Sequence, residues 1–290
     1  MHIVYHLGAH CTDEDRLVRC LLKNRAVLAD QGIIVPSPTR YRKLMRDAAV
    51  QLRGSTATVE NQALILDQIM EESEAERLVL SWDSFLSFPA WVIRGSLYAA
   101  AGERIRAFTR IFPDIGTEFC MAIRNPATFV PALQSKVQEK GHADVLNGVD
   151  PMSLRWSTAI QEIISRNEGV PMTVWCDEET PLIWPEVLQA VSGHAPGTEL
   201  VDTDEVVAMI MSEIGFARMQ TYCTEHPPES VEQRRRVVTA FLERFARPEK
   251  VEMEIDIPGW THEVVAEMTY RYLEDVEVIR NMPGVTLIEA

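Results

Sequence analysis

Three runs of almost unbroken apolar sequence, RLVLSW (Arg77 to Trp82), EFCMAIR (Glu118 to Arg124) and PMTVWC (Pro171 to Cys176), constrain this chain more than any other feature. A strand with one wet face alternates apolar and polar residues, whereas continuous runs of this kind belong to parallel strands covered on both faces by helices. Two shorter apolar runs, Ile3 to Leu7 and Ile33 to Val35, precede them, the second closed by Pro36 and Pro38. The intervening segments have helical spacing: Leu64, Ile65 and Ile69 within Glu60 to Glu72, a helix over Gly102 to Phe112, and Trp156, Ile160 and Ile163 within Ser153 to Arg166. Strands alternating with helices through short turns predict right-handed crossovers and a parallel sheet between helical layers. From Asp202 the pattern is mainly helical, over about 204–211, 215–224, 230–245 and 260–281, with Val285 to Ile288 as a final strand. The expected fold is α/β, a central parallel sheet flanked by helices. It forms one continuous domain over 1–290, with a core to about residue 196 and a helical extension from about 197.

The first segment, IVYHLGAHCTDEDRLVRCLL from Ile3 to Leu22, reads as a strand, a tight turn through Gly8 to Cys11, and a helix running to about Asp30. Thr12 with Asp15 three residues later resembles a capping box, and Leu17, Val18, Leu21 and Leu22 follow at helical spacing. A strand leading through a glycine turn into a helix N-terminus is the usual geometry of a phosphate cradle.

This segment resembles the first strand, loop and helix of the sulfotransferases, in particular the bacterial branch, which reads roughly H-I-G-x-H-K-T-G-T-T-S-L. His6, Leu7, Gly8, His10, Thr12 and Leu17 match it. A second match is Arg124-Asn125-Pro126, where Asn125 suits an N-cap and Pro126 the first helical position. The strand and helix around PMTVWC and WPEVL are similar to the family's supporting core. The resemblance implies a P-loop-type sandwich that binds the donor PAPS, or its product PAP. Gly8, Cys11 and Thr12 would meet the 5'-phosphosulfate, and Arg124 the 3'-phosphate. The family's serine, eight residues beyond that arginine, is Ala132 here, so Ser135 is the candidate substitute from the next turn.

The departures bear on activity. Cys11 stands where the family has its lysine, and Asp13, Glu14, Asp15 and Arg16 replace the Gly-Thr-Thr-Ser wrap. Carboxylates would meet the donor's anion with like charge, at a cost of about several kcal/mol in a partly buried site. Asp83 follows a Leu-Ser strand end, where the bacterial sulfotransferases often place an acid. Two roles are open for it, general base toward an acceptor hydroxyl or cap of the next segment. A basic stretch from 37 to 58, with Arg40, Arg42, Lys43, Arg46 and Arg53, is either a solvated face or a surface toward an acidic ligand.

A net charge of -15 argues against nucleic acid and anionic membrane as partners. No apolar stretch reaches the length of a membrane span, and the N-terminus has no signal-like pattern, so a cytoplasmic protein is expected. The five cysteines are scattered without a CxxC pair, and Cys20, Cys120 and Cys176 sit in apolar patterns as core residues.

Three functional readings follow. The first is a sulfotransferase-like protein with a degraded donor site, serving as a binding or regulatory protein for a small molecule or protein, without a cofactor. The second is an active PAPS-dependent sulfotransferase in which His10, or a basic residue from another segment, takes over the lysine's work, with Asp83 as base. The third is a divalent-metal protein using His6, His10, Cys11 and the acidic loop. Against the third, the histidine pair crosses from strand to turn, and a strand histidine bonded within the core is the simpler reading of His6.

Overall fold

The computed structural model describes residues 1–72, 74–139, 141, 144–253, 255 and 257–290. Its centre is a six-stranded, all-parallel sheet in the order β2-β3-β1-β6-β7-β8. The strands are β1 (His2–His6), β2 (Ile33–Ile34), β3 (Arg77–Ser81), β6 (Gly116–Ile123), β7 (Met172–Cys176) and β8 (Val285–Ile288). A separate antiparallel pair, β4 (Ile93–Arg94) and β5 (Ser96–Leu97), follows β3. All three long apolar runs are sheet strands, and the last segment of the chain returns to pair with β7 instead of ending in the helical layer.

Alternation along each strand divides the core between two faces. Ile3, Tyr5, Leu80, Phe119, Met121 and Val174 belong to one large cluster. This face is covered by α3 (Pro38–Leu52), α4 (Val59–Ile69), α5 (Ala101–Thr109), α6 (Pro126–Gln138), α7 (Trp156–Arg166) and α13 (His262–Arg280). Val4, Val79, Cys120, Ala122 and Trp175 face the other way, under α1 (Arg16–Lys23), α2 (Arg25–Ala29), α8 (Thr180–Ser192) and α9 (Glu205–Ile210). Beyond α9, a hairpin of α10 (Glu213–Glu225) and α11 (Val231–Phe245) closes over its own small core, and the short α12 (Pro248–Val251) follows. Cys20, Cys120 and Cys176 are buried as expected, and all five cysteines are free. Among the described residues no helix is long and apolar enough to cross a membrane.

Several helix boundaries depart from the sequence reading. The first helix begins at Arg16, not Thr12, and breaks at Asn24, whose amide binds Cys20 O (2.9 Å) and Val201 O (3.0 Å). Within the basic stretch from 37 to 58 lies the fifteen-residue α3, with Pro38 at its first position. Helix α8 starts at Thr180, which places Pro185 inside it.

The topology fixes where a site can form. The connection leaving β1 passes onto one face through α1, while that leaving neighbouring β6 passes onto the other through α6. The crevice between their carboxyl ends is the switch point at which open α/β sheets bind ligands.

Candidate functional site

The loop from β1 to α1 lines that crevice, and its backbone is unusual. Gly8 has φ +66°, and Cys11, Glu14 and Asp15 also have positive φ (61°, 49° and 63°), a region that costs side-chain-bearing residues energy. A Cβ on Gly8 would stand 2.9 Å from Asp83 Cα, so glycine permits the end of β3 to approach the loop. His10, Cys11, Thr12 and Asp13 are all buried.

The capping-box expectation for Thr12 and Asp15 is not met. Thr12 Oγ1 donates to Ala9 O (2.8 Å), and the carboxylate that takes a helix N–H is Asp13, whose Oδ2 accepts from Leu17 N (3.0 Å). The three acids lie ahead of the helix, not in its first turn, because the helical backbone begins only at Arg16.

Arg124 spans the crevice. Its Nη1 donates to Cys11 O at 2.6 Å and its Nε to Thr128 Oγ1 at 3.0 Å. Its own carbonyl accepts from Trp156 Nε1 (2.7 Å), which anchors the strand end to α7. Asn125 caps α6 as expected, its Oδ1 accepting from Ala127 N (3.0 Å), with Pro126 at the first position. Ser135 lies apart. Exposed on α6, its hydroxyl donates to Pro131 O (3.1 Å), and Thr128 is the hydroxyl that meets Arg124.

Two further cations reach the loop. Arg42 of α3 forms a fork with Asp15 (3.0 and 2.5 Å) and also donates to Ser81 O (2.8 Å). Burial works against the Asp15 carboxylate, yet the Arg42 fork outweighs it and holds its pKa below the ordinary value. Lys136 of α6 binds Glu14 (2.9 and 3.1 Å), with Asp83 Oδ2 3.8 Å away. Burial would lower the Lys136 pKa, but the bond to Glu14 raises it. In the crevice Asp15 and Glu14 each have a partner cation, and Asp13 accepts a helix N–H. In the basic stretch, Arg40 and Arg46 pair with Glu71 and Asp47, and Arg42 turns inward.

His10 and Asp83 are brought together. The His10 ring shares a hydrogen bond with Tyr98 hydroxyl (Nδ1, 2.9 Å), which also accepts from His10 N (3.0 Å), and its Nε2 lies 3.7 Å from Asp83 Oδ2. Burial raises the Tyr98 pKa well above its usual value, so its hydroxyl stays protonated. Burial also pushes the Cys11 thiol up to about 11, which leaves it a poor nucleophile at neutral pH. Asp83 is half-exposed, accepts from Ser84 Oγ (3.1 Å) and opens a short helical turn.

His6 is part of the core. It stacks on Trp175 (centroids 5.8 Å apart), shares a hydrogen bond with Ser81 Oγ (2.8 Å), and burial lowers its pKa. His6 and His10 thus have separate partners, and among the described residues no group of three or more His, Cys, Asp or Glu is placed to hold a metal.

The sequence reading missed the roles of Lys136, Tyr98 and Thr128. For Lys136 a signal existed: it follows Phe129 and Leu133 at i+7 and i+3, on the buried face of α6. Compared with known protein families, curated proteins and solved structures, the chain matches none.

Proposed function

We propose that this chain is a sulfotransferase-like protein whose phosphosulfate donor site is closed by its own side chains, and that it acts as a binding or regulatory protein without normal sulfonate transfer. The observation carrying this reading is the Arg124 guanidinium: the group that would grip a nucleotide phosphate donates to Cys11 O and Thr128 Oγ1. In the same loop Glu14 and Asp15 are already paired to Lys136 and Arg42. A donor anion would have to displace carboxylates that belong to the same chain, and no linked anion is lost in exchange.

One observation favours the second reading, an active PAPS-dependent enzyme. Lys136 reaches the loop from α6 and could supply the positive charge absent at Cys11, with Asp83 and His10 as the acid-base pair. Thermal melting with adenosine 3',5'-bisphosphate separates the two. The closed-site reading expects no rise in melting temperature. Binding at a hundred times Kd would add about 2.7 kcal/mol, or a rise of roughly 4 °C, and that result overturns it in favour of the enzyme. A rebuilt loop (Cys11→Lys, Asp13→Gly, Glu14→Thr, Asp15→Thr) is expected to gain this response. A rebuilt chain with native circular dichroism and no response would count against the inherited nucleotide cradle itself.

A further inference from the structure

The α10–α11 hairpin packs inward through Gly215, Met219 and Val238. A Cβ on Gly215 would fall 2.3 Å from Phe245 Cβ, so the two helices are in tight contact beneath the surface. The outer side is different. Ile214, Ala217, Arg218, Thr221, Tyr222 and Glu225 recur at i, i+3, i+4, i+7, i+8 and i+11 along α10, all exposed, and form one stripe. Ile214 is 67% and Tyr222 42% exposed. With Ala240, Phe241, Arg244 and Phe245 of α11 the stripe bounds a groove of about 710 Å³.

Charge on the stripe is ordered. At one end Arg218 and Arg244 stand 5.7 and 5.6 Å from the centre of the Phe245 ring, and Glu225 lies at the other. Seven residues separate Arg218 from Glu225, about 10 Å along the helix. Two copies of α10 laid antiparallel about a dyad between Thr221 and Tyr222 bring Arg218 of each copy to Glu225 of the other. Between these pairs lie Thr221 and the Tyr222 ring, a small and an aromatic residue at the centre with charge at the rim. A surface that answers its own charge pattern under a two-fold rotation is what an isologous contact requires. The chain carries a net charge of -15, so copies repel in general and association needs such local complementarity.

We propose that the α10–α11 groove is the interface of a homodimer, two hairpins packing as a four-helix bundle with reciprocal Arg218–Glu225 pairs. This inference is independent of the strand-end site. Sedimentation velocity of the full chain over a concentration series tests it, with a species of twice 32.8 kDa expected. Arg218→Glu and Glu225→Arg should each weaken the dimer by about tenfold or more, because each puts like charges together twice. The combined variant, with both charges exchanged, should return to within about threefold of the original. A chain that stays monomeric to about 100 µM, single reversals without effect, or a combined variant no better than the singles would each overturn the proposal.

Discussion

The approach of the β3 end to the β1 loop can be measured through Gly8. Alanine there meets two costs. Its φ of +66° is a left-handed conformation, which costs an alanine about 1–2 kcal/mol. Its Cβ would lie 2.9 Å from Asp83 Cα, 3.1 Å from Asp83 Cβ and 3.4 Å from Asp83 N, so backbone must give way, not a flexible side-chain end. Overpacking of this kind costs about 1–3 kcal/mol, which brings Gly8→Ala to about 2–5 kcal/mol. Gly95, in the turn between β4 and β5, supplies the control. It has φ +76° and nothing within 4 Å of a Cβ, so Gly95→Ala bears only the conformational cost, about 1–2 kcal/mol.

Urea unfolding followed by tryptophan fluorescence suits the comparison, since Trp156, Trp175 and Trp184 are fully buried and report loss of the core. With a shared m-value, the midpoints should place Gly8→Ala about 1–3 kcal/mol below Gly95→Ala. Equal losses, within about 0.5 kcal/mol, would refute the close contact and with it the pairing geometry of His10 and Asp83.

Asp275 of α13 caps α7 from across the fold: its Oδ2 accepts from Trp156 N (2.6 Å) and Ser157 N (3.1 Å), and Ser157 Oγ donates to Oδ1. Asp275→Ala should cost about 2–4 kcal/mol in the same denaturation assay, since it removes a buried cap and leaves N–H groups unpaired. At Asp177, burial pushes the carboxyl from its ordinary value up to about 7, against the favourable charge of Arg124. The folded chain therefore holds that proton more tightly than the unfolded one, and stability falls as pH rises from about 4 to 7. Asp177→Asn should match the parent at pH 4 and exceed it by about 1–3 kcal/mol at pH 8, after allowance for the residue's partial exposure; melting curves at both pH values check this.

The sheet was legible because a strand buried on both faces is recorded locally, as in RLVLSW and PMTVWC, where almost every residue must be apolar whichever way it points. The loop before α1 was harder for a local reason. Thr12 and Asp15 have the right spacing for a cap, but the chain turns through left-handed backbone at Cys11, Glu14 and Asp15, and none of these is a glycine that would advertise the turn. Thr12 then bonds back to Ala9, and Asp13 takes the helix N–H instead. Pro38 hid α3 for the opposite reason, since the same residue closes a strand and opens a helix. The site was half legible. The acids and Arg124 can be read along the chain, whereas the acids' partners Arg42 and Lys136 lie 27 and 122 residues from the acids they bind. Those distances in sequence follow from topology: α3 and α6 both cover the face that β1 leaves when its chain turns into α1, so their inward cations come to rest over the loop. Removing Glu14 and Asp15 would leave Arg42 bonded only to Ser81 O and Lys136 with only Asp83 nearby, so both cations would face the crevice more freely. Lys136 and Arg42 are held by Glu14 and Asp15, and the rebuilt loop tests whether those acids are the barrier to the nucleotide binding considered under the proposed function.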